Sequence, residues 1–177
     1  MEDMELLQET AYKNIIQMLR DRNYTIESDD NLKIFAKHEN KKILILARVI
    51  PKLNIEEIEY LAESLDSLKI NHALIVYTGV QTPAAKSALE NMSKNNYFVE
   101  CFHVGDLQIN PTKHILVPKH ELLDKVSSNK IKSQTNDGKD LPNILKSDVI
   151  ARYYNYKHGQ VIKITRADGS IALRIVK

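Results

Sequence analysis

The chain has 177 residues, of which 43% are hydrophobic and 27% charged, and its formal net charge is +2. This length accommodates one ordinary domain or two small ones, and the composition is that of a folded rather than a disordered chain. The longest apolar stretch, Ile43 to Ile50, is interrupted by Arg48 and is far shorter than the roughly 20 residues of a membrane span. The acidic start is unlike a secretory signal, and the single cysteine, Cys101, excludes internal disulfides and Cys-rich zinc modules.

The two halves of the chain differ in charge. Residues 1–109 contain 12 Lys and Arg against 17 Asp and Glu, a net charge of −5, whereas residues 110–177 contain 13 against 6, a net charge of +7. This change of sign predicts two modules with different partners. The basic module could face phosphate groups or an acidic protein surface, and charge alone does not distinguish the two.

The chain begins with a predicted helix and hairpin. Residues 2–22 have the apolar spacing of an amphipathic helix. Residues 32–37 and 42–50 predict two strands joined by a turn at 38–41. Because the middle of the second strand is apolar on both faces, we expect that strand at the centre of its sheet.

Two further helices and strands complete the first half. Asn54 is expected to cap a helix, and residues 72–78 predict a buried strand. Thr82 is placed to cap the next helix, with Pro83 at its first position, and residues 97–103 predict the last strand. This order of elements predicts a mixed sheet flanked by helices.

The beginning of the second half is less regular. Residues 114–117 predict a short strand that Pro118 terminates. Residues 122–126 predict a turn or two of helix. The polar stretch 127–140 has little apolar periodicity, so we expect a loop or linker there.

The end of the chain predicts a helix and a hairpin. Asp148 is placed to cap a short helix that runs to about Tyr156. Residues 161–166 and 171–176 alternate as strands do, and Asp168-Gly169 between them is a strong indicator of a hairpin turn.

A magnesium nuclease of the restriction-endonuclease type needs an acid on one strand and Glu-x-Lys on the next. Asp29, Asp30, Glu39 and Lys41 supply these residue types. However, Glu39 falls on the tip of the predicted hairpin rather than along a strand at a cleft. The match is therefore weak.

Other catalytic and metal patterns are also poorly supported. Cys101, His103, His114 and His120 could bind zinc in principle, but their spacing fits no finger or ribbon. A small buried thiol and ordinary histidines are the favoured interpretation. The sequence has no phosphate-binding glycine loop and no Gly-x-Ser-x-Gly motif. It therefore predicts no catalytic residue, no metal site and no cofactor.

Two stretches carry a specific likeness to a known family. The first is HALIVYTGVQTPAAKSAL from His72, followed by residues 98–107 and by HILVPKH at 114–120. The second comprises LPNI at 141–144, DVIARYY at 148–154 and GQVIKITR at 159–166. In this order they resemble the fifth, shared subunit of eukaryotic nuclear DNA-dependent RNA polymerases, whose C-terminal part corresponds to a small subunit of the archaeal polymerase.

The resemblance implies an α+β fold of two domains. Residues 1–109 would form a jaw domain near downstream DNA, a mixed sheet flanked by helices with a nuclease-like but inactive fold. Residues 110–177 would form a small α+β assembly domain that ends in a β-hairpin and docks on the largest polymerase subunit. The chain would then be an accessory subunit without its own active site, contributing to enzyme assembly and to transcription, with no membrane partner.

The resemblance also implies which residues contact partners. In the jaw domain the DNA-proximal residues would be Thr82, Pro83 and Lys86. In the assembly domain the residues of the subunit interface would be Pro118, His120, Arg152, Tyr153, Lys157, Gly159, Gln160, Lys163, Arg166 and Arg174.

A domain as small as residues 110–177 has a marginal core. We therefore expect a strand of its final hairpin to pair with an edge on the partner, with Arg152, Lys157, Lys163 and Arg166 facing acidic groups there. The alternative for several of these residues is an internal role: Pro118 sets a turn, Arg152 bonds carbonyls of its own domain, and Gln160 closes a helix end.

Departures from the family pattern bear on the docking surface. Val149 stands where the family has proline, and the polar stretch from Ser127 replaces a helix. The tight turn at Asp168-Gly169 shortens the last hairpin, in which only Arg174 keeps its match. The shortened loops and the Asn-, Lys- and Ile-rich composition suit a large-DNA-virus homologue or an AT-rich eukaryote. The expected location is the nucleus for a cellular protein, and the cytoplasmic virus factory and virion for a viral one.

Two other functions remain as alternatives to a polymerase subunit. One is a structure-selective, magnesium-dependent DNA nuclease that uses the acids around Glu39. The other is a free-standing DNA-binding module that uses the basic half, which predicts binding that weakens steeply with salt.

Overall fold

The computed structural model describes residues 2–30 and 33–177. The chain divides into two compact units, unit 1 up to Ile109 and unit 2 from Asn110 to Lys177. The helices of unit 1 are α1 (Glu2–Asp21), α2 (Ile55–Leu68) and α3 (Pro83–Lys94), and its strands are β1 (Thr25–Asp29), β2 (Lys33–His38), β3 (Lys41–Ile50), β4 (His72–Tyr77) and β5 (Phe98–His103). In the described residues no helix combines the length and the apolar character that crossing a membrane requires.

The five strands of unit 1 form one sheet in the order β1-β2-β3-β4-β5. The first three strands are antiparallel to their neighbours, whereas β3, β4 and β5 run parallel. The predicted mixed sheet is therefore confirmed, with β3 at its centre. This position explains the apolar run of β3, because a central strand is covered on both faces.

Helices cover both faces of this sheet. Leu44 of β3 belongs to a buried cluster with Ile58 and Leu61 of α2 and Ala85 of α3. Since successive side chains of a strand point to opposite faces, the buried Ile45 faces the other side, and α1 packs against β3. The stripe predicted for α1 is confirmed by the burial of Ala11, Ile15, Met18 and Leu19.

Two predicted helix starts are confirmed in atomic detail. The Asn54 side chain accepts a hydrogen bond from the Glu57 N–H at 3.1 Å, and the Thr82 hydroxyl accepts one from the Ala85 N–H at 3.2 Å. Pro83 occupies the first turn of α3, where its missing N–H costs no hydrogen bond.

The structure corrects the prediction for the first strands. Strand β1, which the sequence analysis missed, is an edge strand with mostly exposed side chains, so it has no apolar pattern to reveal it. Strands β2 and β3 extend to His38 and Lys41, so the turn is only Glu39 and Asn40. The start predicted at residue 32 lies outside the described residues.

A buried ion pair joins the end of α1 to β5. The guanidinium of Arg22 donates two hydrogen bonds of 2.9 Å to the Glu100 carboxylate, and the side chains are only 3% and 9% exposed. His72 Nε2 lies 2.8 Å from the same carboxylate. Burial raises the pKa of Glu100, but the hydrogen bond from His72 and the charge of Arg22 outweigh it and hold the pKa below its usual range.

We expect Glu100→Gln to destabilise unit 1 by about 3 kcal/mol, because it leaves the Arg22 charge buried without a counter-ion. Because the folded-state pKa of Glu100 is depressed, the pair stabilises the wild type at neutral pH, and this stability is lost as the pH falls through the folded-state pKa. Hydrogen exchange of unit 1 amides would measure both effects, with unit 2 amides as the internal reference. Glu9→Gln is the matched control, since Glu9 pairs with Lys13 on the exposed surface; equal effects of the two substitutions would contradict the prediction.

Unit 2 is built around a smaller sheet. Its four strands follow the order β6-β8-β9-β7, in which β7 runs parallel to β9 and the other pairs are antiparallel. The core includes Ile150, Ile162, Ile164 and Val176. The elements are β6 (Lys119–Leu122), α4 (Lys125–Gln134), β7 (Asn143–Ile144), α5 (Val149–Tyr153), β8 (Val161–Thr165) and β9 (Ile171–Val176). The predicted α+β class is confirmed, as is the hairpin, with Gly169 at φ +80° in its turn.

The strand predicted at 114–117 is wrong. These residues form a turn, closed by the Val117 N–H donating to the His114 carbonyl at 2.9 Å, and the strand β6 begins only after Pro118. Proline has no N–H to donate to a sheet, so it sits at the entry of the strand.

The loop predicted at 127–140 is also wrong, because residues 125–134 form α4. Asp124 caps this helix by accepting hydrogen bonds of 2.9 Å from the Val126 and Ser127 N–H groups. Asn136, Asp137 and Gly138 all have positive φ angles and end it. The helix has few apolar residues, so its periodicity was too weak to predict it.

The helix predicted from Asp148 to about Tyr156 is shorter than expected. Its cap is confirmed, since Asp148 accepts from the Ile150 N–H at 2.8 Å. However, α5 ends at Tyr153 and Asn155 takes a left-handed conformation with φ +54°. Asparagine tolerates this conformation better than most residues.

Candidate functional site

The interface residues predicted on β8 and around it do not all face one way. Ile162 and Ile164 point into the core of unit 2, so Lys163 points to the opposite face. There it lies in register with Glu121 of β6. The hydrogen bond from Lys119 lowers the pKa of Glu121, and the charge of Lys163 adds to the effect. This face of the sheet carries charged residues in contact with solvent.

Pro118 and Arg166 lie together at one end of this sheet. Both line a groove with a volume of about 570 Å³, formed by residues 115–119 and 165–167. The groove lies where β6 begins and β8 ends, since Lys119 is in register with Thr165. His120 Nδ1 donates to the Pro118 carbonyl at 2.7 Å, which fixes the backbone beside the groove.

Lys157, Gly159 and Gln160 form a closed turn. The Gln160 side chain accepts a hydrogen bond from the Lys157 N–H at 2.7 Å, and the Gly159 N–H donates to the Val176 carbonyl at 2.9 Å. Gly159 has φ +79°, which favours glycine. Gln160 and Gly159 thus have structural roles, while Lys157 is exposed and its ammonium bonds the Asn155 side chain at 2.6 Å.

Tyr153 is an internal residue rather than a surface one. Its side chain is 5% exposed, and its hydroxyl accepts a hydrogen bond from the Asn110 amide at 3.1 Å. Its ring packs edge-on against Tyr154, which stacks on Tyr156. The partly exposed Arg152 lies on the same short helix, α5.

The edges of the sheet decide where a partner strand could add. Strand β9 is not an edge strand along its whole length, because β7 covers Ile175 and Val176. The Val176 N–H donates to Gln160 on the β8 side, so by alternation the backbone groups of Ile171 and Leu173 point away from β8. In the described chain no strand lies beside these two residues. The expectation of an exposed final strand therefore holds only for the first half of β9.

Arg174 and the other edge are engaged internally. The Arg174 guanidinium donates to the Asn143 carbonyl at 3.2 Å, which ties β7 to β9. On the outer side of β6, the Tyr156 hydroxyl reaches the His120 carbonyl at 3.5 Å. Burial raises the pKa of Tyr156, so this phenol stays a donor at neutral pH.

The residues predicted near DNA lie at the start of α3. Pro83 and Lys86 are exposed, and the neighbouring Val80 is 71% exposed. This is the carboxyl end of the parallel strands, where open α/β sheets commonly bind ligands. Here the crevice is closed by the backbone, because the Thr78 N–H donates to Ile50 and the Leu53 N–H to Val80.

The acids of the nuclease alternative are not brought together. Asp29 is in register with Ile34, whereas Glu39 lies in the turn at the opposite end of β2. At about 3.3 Å per residue, five residues of strand separate the two acids by roughly 16 Å, so they cannot hold one metal ion. Among the described residues no group of three His, Cys, Asp or Glu side chains is arranged to bind a metal.

Two exposed residues of the groove were missed by the sequence analysis. Ile115 and Leu116 are 95% and 81% exposed, although both were assigned to a buried strand. The available indication was His114, whose Nδ1 accepts the Leu116 N–H at 3.2 Å. A histidine before such a pair can close a turn as well as begin a strand.

Comparison with known proteins decides the family. Residues 109–176 match the model of the family described as RNA polymerase Rpb5, C-terminal domain. DNA-directed RNA polymerase subunit 5-like protein 1 of Arabidopsis thaliana is 32% identical over 89% of this chain and 88% of its own length. The chain belongs to the Rpb5 family of RNA polymerase subunits. The matched residues coincide with unit 2, and the relative extends the match across unit 1.

Relatives occur in cells and in a virus. DNA-directed RNA polymerases I, II, and III subunit rpabc1 of Dictyostelium discoideum is 33% identical over 94% of this chain and 92% of its own length. A protein of Invertebrate iridescent virus 6 that carries the name of a DNA-directed RNA polymerase subunit is 32% identical over 94% of this chain and 98% of its own length. The Rpb5 family therefore includes both cellular and viral relatives of this chain.

The position of Tyr153 generates a test of its predicted interface role. We expect Tyr153→Phe to lower the stability of unit 2 by about 1–3 kcal/mol, because the buried Asn110 amide loses its hydrogen-bond partner. Affinity of the folded protein for other polymerase subunits should stay unchanged. Urea denaturation monitored by hydrogen exchange and a pull-down at low temperature would separate the two effects; weaker binding without loss of stability would restore Tyr153 to the interface.

Proposed function

We propose that this protein is a non-catalytic subunit of a multisubunit DNA-directed RNA polymerase, in which unit 2 attaches it to the largest subunit. The observation that carries the proposal is the Rpb5 match over residues 109–176, together with polymerase-subunit relatives aligned over about nine-tenths of the chain. In this proposal unit 1 is the jaw domain and unit 2 the assembly domain. Neither needs chemistry of its own, because the polymerase active site belongs to other subunits.

The charge and the edges of unit 2 support docking on an acidic partner surface. Residues 110–177 carry a net charge of +7, and Lys157, Arg166 and Arg174 are exposed. The backbone of Ile171 and Leu173 can accept a partner strand, as in β-strand addition. Complementary charges then set the orientation and the rate of association.

Charge reversal on the sheet of unit 2 tests this attachment. We expect Lys163→Glu in the full chain to weaken binding of the largest subunit about fivefold, which corresponds to about 1 kcal/mol. Titration of the purified full chain against the largest subunit from the same source gives the affinity. The matched control is Lys130→Glu, an exposed lysine of α4. If both reversals act equally, only net charge matters; if the wild type does not bind, the proposed function fails.

The first turn of α3 is proposed as the part of the jaw nearest downstream DNA. Thr82, Pro83 and Lys86 are those that the family resemblance implies, and Lys86 and Pro83 are exposed beside Val80. One lysine provides one phosphate contact, so this unit alone would bind DNA weakly. The acidic balance of residues 1–109, with a net charge of −5, agrees with a guiding rather than a gripping role.

Photocrosslinking in the assembled polymerase tests the jaw. A photoreactive amino acid in place of Val80 should crosslink to downstream duplex DNA in a stalled elongation complex, and Lys86→Glu should reduce the yield several-fold. The same photoreactive group at Leu6 of α1, which is also exposed, is the control. Equal crosslinking from both positions, or none from position 80, would contradict the proposal.

A free-standing DNA-binding module is the second candidate, favoured by the net charge of +7 in residues 110–177. It requires that the isolated chain binds duplex DNA with an affinity that falls steeply with salt. In the polymerase proposal the isolated chain binds DNA weakly, because the other subunits supply most of the phosphate contacts.

The proposed location follows the polymerase that the chain serves. A cellular enzyme would place it in the nucleus, and a viral one in the cytoplasmic virus factory and the virion. Similar identities to a Dictyostelium protein and to an iridovirus protein support either setting.

A further inference from the structure

The groove at the end of the unit 2 sheet has a composition that points to one kind of partner. Of its eight lining residues, Ile115, Leu116, Val117, Pro118 and Ala167 are apolar, and Lys119 and Arg166 are cationic. The eighth, Thr165, has a hydroxyl that is buried without a hydrogen-bond partner, so its side chain offers no hydroxyl to the groove. No lining residue is acidic.

The exposure of Ile115 and Leu116 is built into the backbone. The Val117 N–H donates to the His114 carbonyl at 2.9 Å, and the Leu116 N–H to His114 Nδ1 at 3.2 Å. This turn holds two large aliphatic side chains in solvent, where they are 95% and 81% exposed. Contiguous exposed apolar side chains next to a groove commonly mark a binding surface.

The cations of the groove are available to a partner. Among the described residues no ion pair of Arg166 is formed, although Asp168 in the following turn feels its charge. Lys119 pairs with Glu121 at 2.7 Å, but its side chain is exposed, and exposed ion pairs stabilise little. A carboxylate on a partner could therefore engage Arg166 in a bidentate pair and displace Glu121 from Lys119.

We propose that this groove binds an extended segment of another polymerase subunit that presents an aliphatic or aromatic side chain next to an Asp or Glu. The inference rests on the proposed function and adds to it the chemistry of the contact. The apolar side chain covers Ile115 and Leu116, and the carboxylate meets Arg166. A nucleic acid fits less well, because a phosphate backbone gains nothing from five apolar residues. Pro118 and Arg166, both implied as interface residues by the family resemblance, lie in the wall of this groove.

Peptide binding to the full chain tests the groove. The probes are fluorescently labelled, overlapping 15-residue peptides that cover the largest subunit of the polymerase from the same source, measured by anisotropy. We expect at least one peptide with an apolar residue next to an acid to bind. The double substitution Ile115→Ser and Leu116→Ser should weaken it at least tenfold, and Arg166→Glu to a similar degree. Changing the acid of the peptide to Lys should recover binding to the Arg166→Glu protein.

Matched controls separate the groove from general effects. Val126→Ser removes an apolar residue of α4 that is 80% exposed and does not line the groove, and Lys130→Glu reverses a charge outside it. Both should leave peptide affinity within twofold of the wild type. Because Ile115 and Leu116 are so exposed, their serine substitutions should not change the thermal unfolding midpoint.

Several results would overturn the inference. Peptides that bind the serine double variant as tightly as the wild type, or an absence of any binding peptide, would do so. So would competition by a 20-base-pair duplex DNA that depends on Arg166 alone, which would indicate a phosphate site. Self-association of the chain that the serine double variant abolishes would replace the partner by a second copy. If the full chain still copurifies with the largest subunit in these cases, the groove inference fails while the proposed function stands.

Discussion

A sheet of four short strands with two helices is too small to cover all of its own surface, and this constraint shapes unit 2. The core of unit 2 is covered, but the backbone of Ile171 and Leu173, the lysines of the open face and the groove at Pro118 are not. Small domains have marginal cores, so each uncovered feature is a place where a partner adds stability. The same geometry that limits the stability of unit 2 by itself therefore suits it to assembly. Tyr156 and Arg174 close parts of the two edges, which directs a partner to what remains open.

Unit 1 solves a different problem, since it has a larger core and a fully paired central strand. Its buried charges are used to join elements: Arg22 ends α1, His72 starts β4 and Glu100 lies in β5, and all three meet at one point. The crevice at the carboxyl ends of its parallel strands is closed by hydrogen bonds between two loops. Gly79 permits this approach, because a Cβ there would lie 2.3 Å from the Pro51 carbonyl oxygen. What unit 1 presents outward at this end is the surface around Val80 and Lys86.

Sequence patterns predicted the elements whose burial follows a regular period. The stripe of α1, the central position of β3, the caps at Asn54 and Thr82 and the final hairpin at Gly169 were all predicted for physical reasons that the structure confirms. The failures share a cause as well. Strand β1 and helix α4 bury few side chains, so no apolar period reveals them; β1 is held by edge pairing and α4 by the Asp124 cap. The interface residues came from family resemblance, and the structure divides them between an internal role, as for Tyr153, and an exposed one, as for Arg166.

The misassigned residues 114–117 show why a binding surface is hard to predict from a single sequence. An apolar run predicts a buried strand because burial is the usual way to remove apolar area from water. A surface that is covered only in a complex has the same composition, and the run by itself does not distinguish the two. Here a local contact decides: His114 bonds the backbone of Leu116 and Val117, which turns the chain before a strand can form. The apolar area of Ile115 and Leu116 thus stays in water in the isolated chain, and burying it is the free energy that a partner gains on binding.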